Sequence, residues 1–288
     1  MPDPIRVRDL ELRFGERTYV MGIVNMTPDS FSGDGLLESG APTAVAVQQA
    51  VRMVAEGADI IDIGGESTRP GHSSVSPQEE LERVVGVVRG IRARLPAVPL
   101  SVDTTKPAVA EAALAAGADI LNDVAGVVEG AALAPVAAAH RAPYIIMHSR
   151  SEPVYDDVVA EVVDDLRAAL TAAEDQGCQP SSLIVDPGIG FGKTAEQNLA
   201  VLRDLGALMV LGRAMLLGTS RKSTIGKVLG LPPDERIEGT LATTAIGIGA
   251  GVDIVRVHDV VANVRTARMS DAIIRGGWTE DGAGEERT

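Results

Sequence analysis

The run Tyr19-Val-Met-Gly-Ile-Val-Asn25 decides the fold. It is almost continuously apolar and ends in a polar residue. A parallel strand covered on both faces reads this way, because neither side of its pleat meets water. Seven further runs share the pattern, over 59–64, 98–103, 118–123, 143–148, 182–186, 213–219 and 253–258. Roughly 33 residues separate successive strand ends, the length of one strand–helix unit. Between the runs lie Ala-rich amphipathic segments at 42–56, 77–94, 106–116, 129–140, 156–176, 195–206, 239–250 and 259–275, which predict helices. Ser76, followed by Pro77 and Glu79, carries the signals of a capped helix start. Gly57, Gly117 and Gly177 stand where helix C-caps belong. Eight such units predict a closed (β/α)8 barrel of the TIM type rather than an open sheet. The segment 5–15 reads as a short N-terminal β-hairpin. Residues 1–275 read as one domain, and the Gly- and Glu-rich stretch 276–288 as a frayed tail.

Composition narrows the function. The chain has 288 residues, is 45% hydrophobic and has a formal charge of −14. A negative field of that size disfavours nonspecific nucleic-acid binding. It leaves room for a small anionic substrate, since local Arg, Lys and helix N-termini reverse the potential within one cleft. There is no long uncharged apolar stretch and no secretion signal, so no membrane partner is expected. Cys178 is the only cysteine, which fits a soluble protein of the reducing cytoplasm.

Each strand run ends in a polar residue or glycine: Asn25, Gly64, Asp103, Asn122 with Asp123, His148, Asp186, Ser220 just beyond the seventh run, and His258. In a barrel these positions converge on the C-terminal mouth, where the chemistry is placed. Ordinary turn chemistry also puts Asn and Asp at strand ends. The loops after the first two runs are long, and the second carries Arg69, whose planar fork suits phosphate or a ring face. Two of the three Phe residues, Phe31 and Phe191, fall in mouth loops and suggest walls for a flat ligand. Asp103 and Asp186 could work as acid and base, accept hydrogen bonds from a guanidine-like ring edge, or merely cap helices. Asn122 adds an amide suited to reading the same edge. Lys222 is one of four lysines, and Arg256 and His258 share a strand face, near where barrels often hold phosphate. Taken alone, His258 reads more readily as a satisfied core histidine.

The motifs MGIVNMTPDSF (21–31), DIGGESTRPG (62–71), SVDT (101–104), ND (122–123), DPGIGFGKT (186–194), GTSRK (218–222) and RVHD (256–259) resemble, in order and spacing, those of the dihydropteroate synthase family. The likeness runs from about residue 19 to residue 275. It implies a transferase that joins 4-aminobenzoate to 6-hydroxymethyl-7,8-dihydropterin diphosphate and releases diphosphate, in folate biosynthesis. By resemblance Asn25 would hold Mg²⁺ on the diphosphate, with Arg256 and His258 as anion partners. Asp103, Asn122, Asp186 and Lys222 would bind the pterin, beside Met147 and Gly218. Thr68, Arg69, Pro70, Phe31, Phe191 and Ser220 would shape the aminobenzoate site. Asp103, Asp186, Lys222, Arg256 and His258 form the implied catalytic set, and a homodimer is implied as well. Loop one departs from the family pattern: Asp34 stands one place later than its usual counterpart and receives no role. Three other readings compete. A pterin-binding methyltransferase barrel would not need the anion clamp. A pterin-binding paralogue without turnover would keep the motifs, and a Schiff-base aldolase would use Lys222.

Overall fold

The structure is a computed structural model that describes residues 2–26, 42–66, 75–276 and 278. Phe31, Thr68, Arg69 and Pro70 lie outside the described residues, as do Asp34 and most of the predicted tail. Two short strands, β1 (Ile5–Val7) and β2 (Leu10–Leu12), form the expected antiparallel hairpin. Eight strands follow: β3 (Tyr19–Asn25), β4 (Ile60–Gly64), β5 (Leu100–Asp103), β6 (Ile120–Asp123), β7 (Tyr144–Met147), β8 (Leu183–Asp186), β9 (Ala214–Leu217) and β10 (Ile254–Val257). All pair in parallel, and β10 closes the barrel on β3.

The helices are α1 (Pro42–Ala55), α2 (Pro77–Arg94), α3 (Pro107–Ala116), α4 (Ala134–His140), α5 (Val158–Asp175), α6 (Ala195–Arg203), α7 (Ser223–Leu229), α8 (Ile237–Gly249) and α9 (Val260–Ile274). Ser76 caps α2 as expected, its side chain accepting the Glu79 N–H at 3.2 Å. Gly57, Gly117 and Gly177 all have positive φ. Two expectations are corrected. The helix predicted from 129 starts at Ala134, because Gly130 and Ala131 have φ of 60° and 59° and leave the right-handed path. The segment after Lys222 contains α7, which seven residues are too few to reveal by periodicity.

Strand parity sorts the side chains into two cores. Val20, Val24, Ile61, Ile63, Val102, Leu121, Ile146, Val185, Leu217 and Val255 face the helices. Tyr19, Met21, Ile60, Ile120, Ile145, Ile184, Leu216 and Ile254 fill the lower barrel, together with Ile5, Val7, Leu12 and Phe14 from the hairpin region. The hairpin therefore plugs the N-terminal end of the barrel. Full burial of each such side chain contributes about 1.5–3 kcal/mol relative to exposure. Further along the inward parity, in steps of two, the apolar filling gives way to Asn25, Asp62, Asp103, Asn122, Asp186, Gly218 and Arg256, with Met147 still apolar on β7. The rigid lower core thus carries a polar upper layer.

Candidate active site

Register places four of the predicted residues at one level. Asn25 pairs with Gly64, Gly64 with Asp103, and Asp103 with Asn122. Met147 pairs with Asp186 on the other side. A Cβ on Gly64 would meet Asn25 Oδ1 at 3.4 Å and Asp103 Cβ at 3.7 Å. A Cβ on Gly218 would meet Asp186 Oδ2 at 3.7 Å and Arg256 Cβ at 3.9 Å. The two glycines keep the upper barrel open between these polar groups. Asn25, Asp103, Asp186 and Arg256 therefore surround one mouth.

Arg256 is the hub. Its Nε donates to Asp62 Oδ2 at 2.6 Å, and its Nη2 donates to Asp103 Oδ2 at 2.8 Å. Asn122 Nδ2 donates to the same Asp62 oxygen at 3.2 Å. Asp62 is fully buried; it opens the motif 62–71, yet the sequence pattern assigns it no role. The available signal was a charge on the inward parity of an otherwise apolar strand, two residues before Gly64. Two carboxylates share one guanidinium here. Burial lowers the Arg256 pKa, but Asp62 and Asp103 outweigh that effect and the net shift is upward. Burial drives Asp103 up to about 7; Asp62 pushes the same way, while Arg256 and Lys222 oppose it. Among the described residues, Asp62 Oδ1 and Asp103 Oδ1 are buried without a hydrogen-bond partner. Such acceptors suit a ligand edge rich in N–H donors.

Asp186 is also buried, and burial raises its pKa; the Gly188 N–H, Lys222 and Arg256 restrain the rise. Its Oδ1 accepts the Gly188 N–H at 2.7 Å. The Lys222 ammonium stands 3.9 Å from the centre of the Phe191 ring, a cation–π contact. Phe191 therefore touches Lys222 as well as lining a cavity beside Asp103. Ser220 Oγ lies 2.9 Å from His258 Nδ1 and accepts the His258 backbone N–H at 3.2 Å. Ser220 thus orients His258. A cavity of about 240 Å³ beside Asp103 is lined also by Glu66, Glu80, Thr104, Thr105, Val124, Ser149 and Phe191. A larger depression, about 460 Å³, opens beside Arg150 and Val154. Its lining lacks Asp103 and Phe191, which the smaller cavity touches, so the smaller one meets the polar layer.

Two strand-end residues leave the mouth, contrary to expectation. Asp123 has outward parity and accepts the buried Tyr144 hydroxyl at 2.6 Å. His148 lies one residue past the inward Met147 and turns to Asp165 on α5, with Nε2 3.0 Å from Oδ2. Period-2 alternation accounts for both: a side chain one step along a strand points to the other face. Lys106, at the start of α3, bonds Glu66 and Glu80 and ties the base of the second loop to α2.

Comparison with known proteins agrees with this geometry. A family profile described as "Pterin binding enzyme" matches residues 21–258. The dihydropteroate synthase of Clostridium beijerinckii is 47% identical over 272 residues, covering 94% of this chain and 100% of that protein. That of Synechocystis is 48% identical over 282 residues, covering 95% and 96%. The Clostridium difficile enzyme, crystallised in the presence of pteroic acid, superposes with a TM-score of 0.85 at 48% identity, covering 91% of this chain and 98% of that one. The Xanthomonas albilineans enzyme with 4-aminobenzoic acid also superposes with a TM-score of 0.85, at 43% identity, covering 92% and 94%. The chain belongs to the dihydropteroate synthase family of pterin-binding enzymes.

Proposed function

We propose that the barrel mouth condenses 6-hydroxymethyl-7,8-dihydropterin diphosphate with 4-aminobenzoate, giving 7,8-dihydropteroate and diphosphate. One observation carries the assignment of roles: Asp103, Asn122 and Asp186 converge on a buried layer whose Asp103 keeps an unpartnered oxygen. Ionised carboxylates accept the N–H donors of the pterin ring edge. Asn122 contributes an amide to the same edge, Met147 and Phe191 supply apolar surface, and Lys222 holds the ring from the Phe191 side. Arg256 and His258 lie toward the diphosphate. Because Arg256 is already engaged by Asp62 and Asp103, its first task is to favour the charged form of the pterin-reading carboxylate.

The C–O bond to diphosphate breaks easily only when the charge growing on the leaving group is stabilised. The electron-rich dihydropterin delocalises the positive charge left on its exocyclic carbon. The aniline nitrogen of 4-aminobenzoate is neutral at pH 7 and needs no general base to attack that carbon. Catalysis is then leaving-group stabilisation and positioning. Thr68, Arg69, Pro70 and Phe31 are proposed to complete the aminobenzoate side.

Asn25 fits a role with Mg²⁺. Its amide oxygen is a hard donor beside Gly64 at the mouth. Among the described residues no group of three His, Cys, Asp or Glu forms a protein-only cage. Mg²⁺ usually takes few protein ligands, completing its shell with water and substrate phosphate. Bound there, it would supply positive charge to the departing diphosphate.

The test is turnover. Pure protein with pterin diphosphate and Mg²⁺ is expected to release diphosphate only when 4-aminobenzoate is added, and chelation of the metal is expected to cut the rate about tenfold or more. Release that ignores 4-aminobenzoate would contradict the reading, and so would tight pterin binding without turnover.

A homodimer is proposed on a second ground. Ile246 on α8, with Met269, Ile273 and Ile274 on α9, exposes apolar side chains on adjoining helices; Met269 and Ile273 are 62% and 70% exposed. A patch of this kind suits a self-complementary contact between two copies. Light scattering is expected to give twice the chain mass, and Ile273→Glu to shift the protein to monomer. A monomeric wild type at micromolar concentration would refute the contact. Among the described residues no helix is long and apolar enough to cross a membrane. The lone, buried Cys178 supports placement in the cytoplasm.

A further inference from the structure

None of the roles above uses Lys193. It follows Gly192 in the segment between β8 and α6, and an ammonium carries three N–H donors and no acceptor. Its Nζ stands 2.8 Å from His148 Nδ1, 3.0 Å from the Gly188 carbonyl oxygen and 3.2 Å from the Phe191 carbonyl oxygen. Three acceptors converge on three donors. The chain reaches this arrangement by passing Gly188 and Gly192 through φ of 66° and 58°. A Cβ on Gly188 would lie 1.7 Å from the His148 oxygen, and one on Gly192 2.1 Å from the Arg150 oxygen. Only glycine lets the loop lie this closely against 148–150. His148 donates through Nε2 to Asp165, which leaves Nδ1 as the acceptor for Lys193. Arg150 holds Asp165 in turn, at 2.9 Å through Nε.

We propose that Lys193 is a positioning residue for 4-aminobenzoate: by drawing two loop carbonyls and the His148 imidazole onto one ammonium, it sets the arc that presents the Phe191 ring. The Phe191 side chain lines the cavity beside Asp103 and contacts Lys222, so a shift of its backbone carbonyl reaches the site directly. Lys193 itself touches no reacting atom. The inference rests on the synthase reading.

The charge on Lys193 matters because a neutral amine keeps only two N–H donors for three acceptors. Burial lowers its pKa to about 7. Asp186 and Asp165 favour the charged form, and Arg150 and Lys222 oppose it. His148 is held neutral near pH 7: burial, then Lys193, lowers its pKa to about 4. The clasp therefore weakens as pH rises through neutrality.

The test measures KM for 4-aminobenzoate at saturating pterin diphosphate from about pH 6 to about pH 9, a range over which the substrate carboxylate stays ionised. In the wild type KM is expected to rise severalfold across this range. Lys193→Met is expected to raise KM about tenfold, with a smaller change in kcat, and to remove the pH dependence. Lys193→Arg, whose charge does not titrate, is expected to recover part of the loss and to stay flat with pH. In a Phe191→Ala background, Lys193→Met should add less than about twofold. A flat wild-type profile would overturn the proposal, and so would full additivity with Phe191→Ala. Should Lys193→Met not fold, the wild-type profile and Lys193→Arg decide the matter. Failure of the wild type to turn over would count against the synthase reading, whereas normal turnover with unchanged KM in the variants would remove only the Lys193 role.

Discussion

Replacing Arg256 by methionine is expected to lower kcat by about 10²–10³-fold and to destabilise the fold by about 3–5 kcal/mol. Both effects share one cause. Arg256 bonds Asp62 at 2.6 Å and Asp103 at 2.8 Å, and both carboxylates are buried. Without the guanidinium, two carboxylates would stand in a low-dielectric layer with no cation between them. One would have to take up a proton, and Asp103, already near 7, would rise further. On the proposed roles, the ligand-reading carboxylate would then be neutral at working pH, and the leaving diphosphate would lose a positive neighbour. Urea titration measures the first effect and steady-state diphosphate release the second. Arg256→Lys should recover part of the stability and little of the rate, because an ammonium cannot span both carboxylates in one plane. A variant within threefold of wild type in kcat would show that Arg256 serves only the fold.

The second large effect concerns Asp186. Asp186→Ala is expected to weaken pterin diphosphate binding about a hundredfold, the cost of losing charge-assisted hydrogen bonds in a buried site. Asp186 also accepts the Gly188 N–H at 2.7 Å, so the alanine variant loosens the start of the loop that carries Phe191. Asp186→Asn separates the two contributions. Its amide oxygen can keep the Gly188 contact, while its NH₂ faces ring donors where an acceptor is needed. We expect the asparagine variant to lose at least tenfold in affinity, read by titration calorimetry with the pterin diphosphate. Near-wild-type affinity in Asp186→Ala would move the ring-reading role to Asp103 and Asn122.

Much of this was legible in the chain. Eight apolar runs, each ending in a polar or glycine position, specified eight parallel strands, and the spacing between them left room for one helix each. The motif order pointed to the pterin-binding family. Parity along a strand is legible as well, but the strand ends alone do not place Asp62, Asp123 or His148. Asp62 shares the inward parity of Gly64, and His148 falls one step beyond Met147. α7 escaped because seven residues hold too little periodicity, and α4 began late because Gly130 and Ala131 leave the helical region.

The sequence by itself determined which residues alternate inward and outward, because side-chain direction in a strand follows from local backbone geometry. Barrel closure decided who meets whom. Arg256 finds Asp62 across 194 residues of chain and Asp103 across 153, and Lys193 finds His148 across 45. No local pattern encodes such pairings, since they depend on strand register around a closed ring and on burial that makes an unpaired charge too costly.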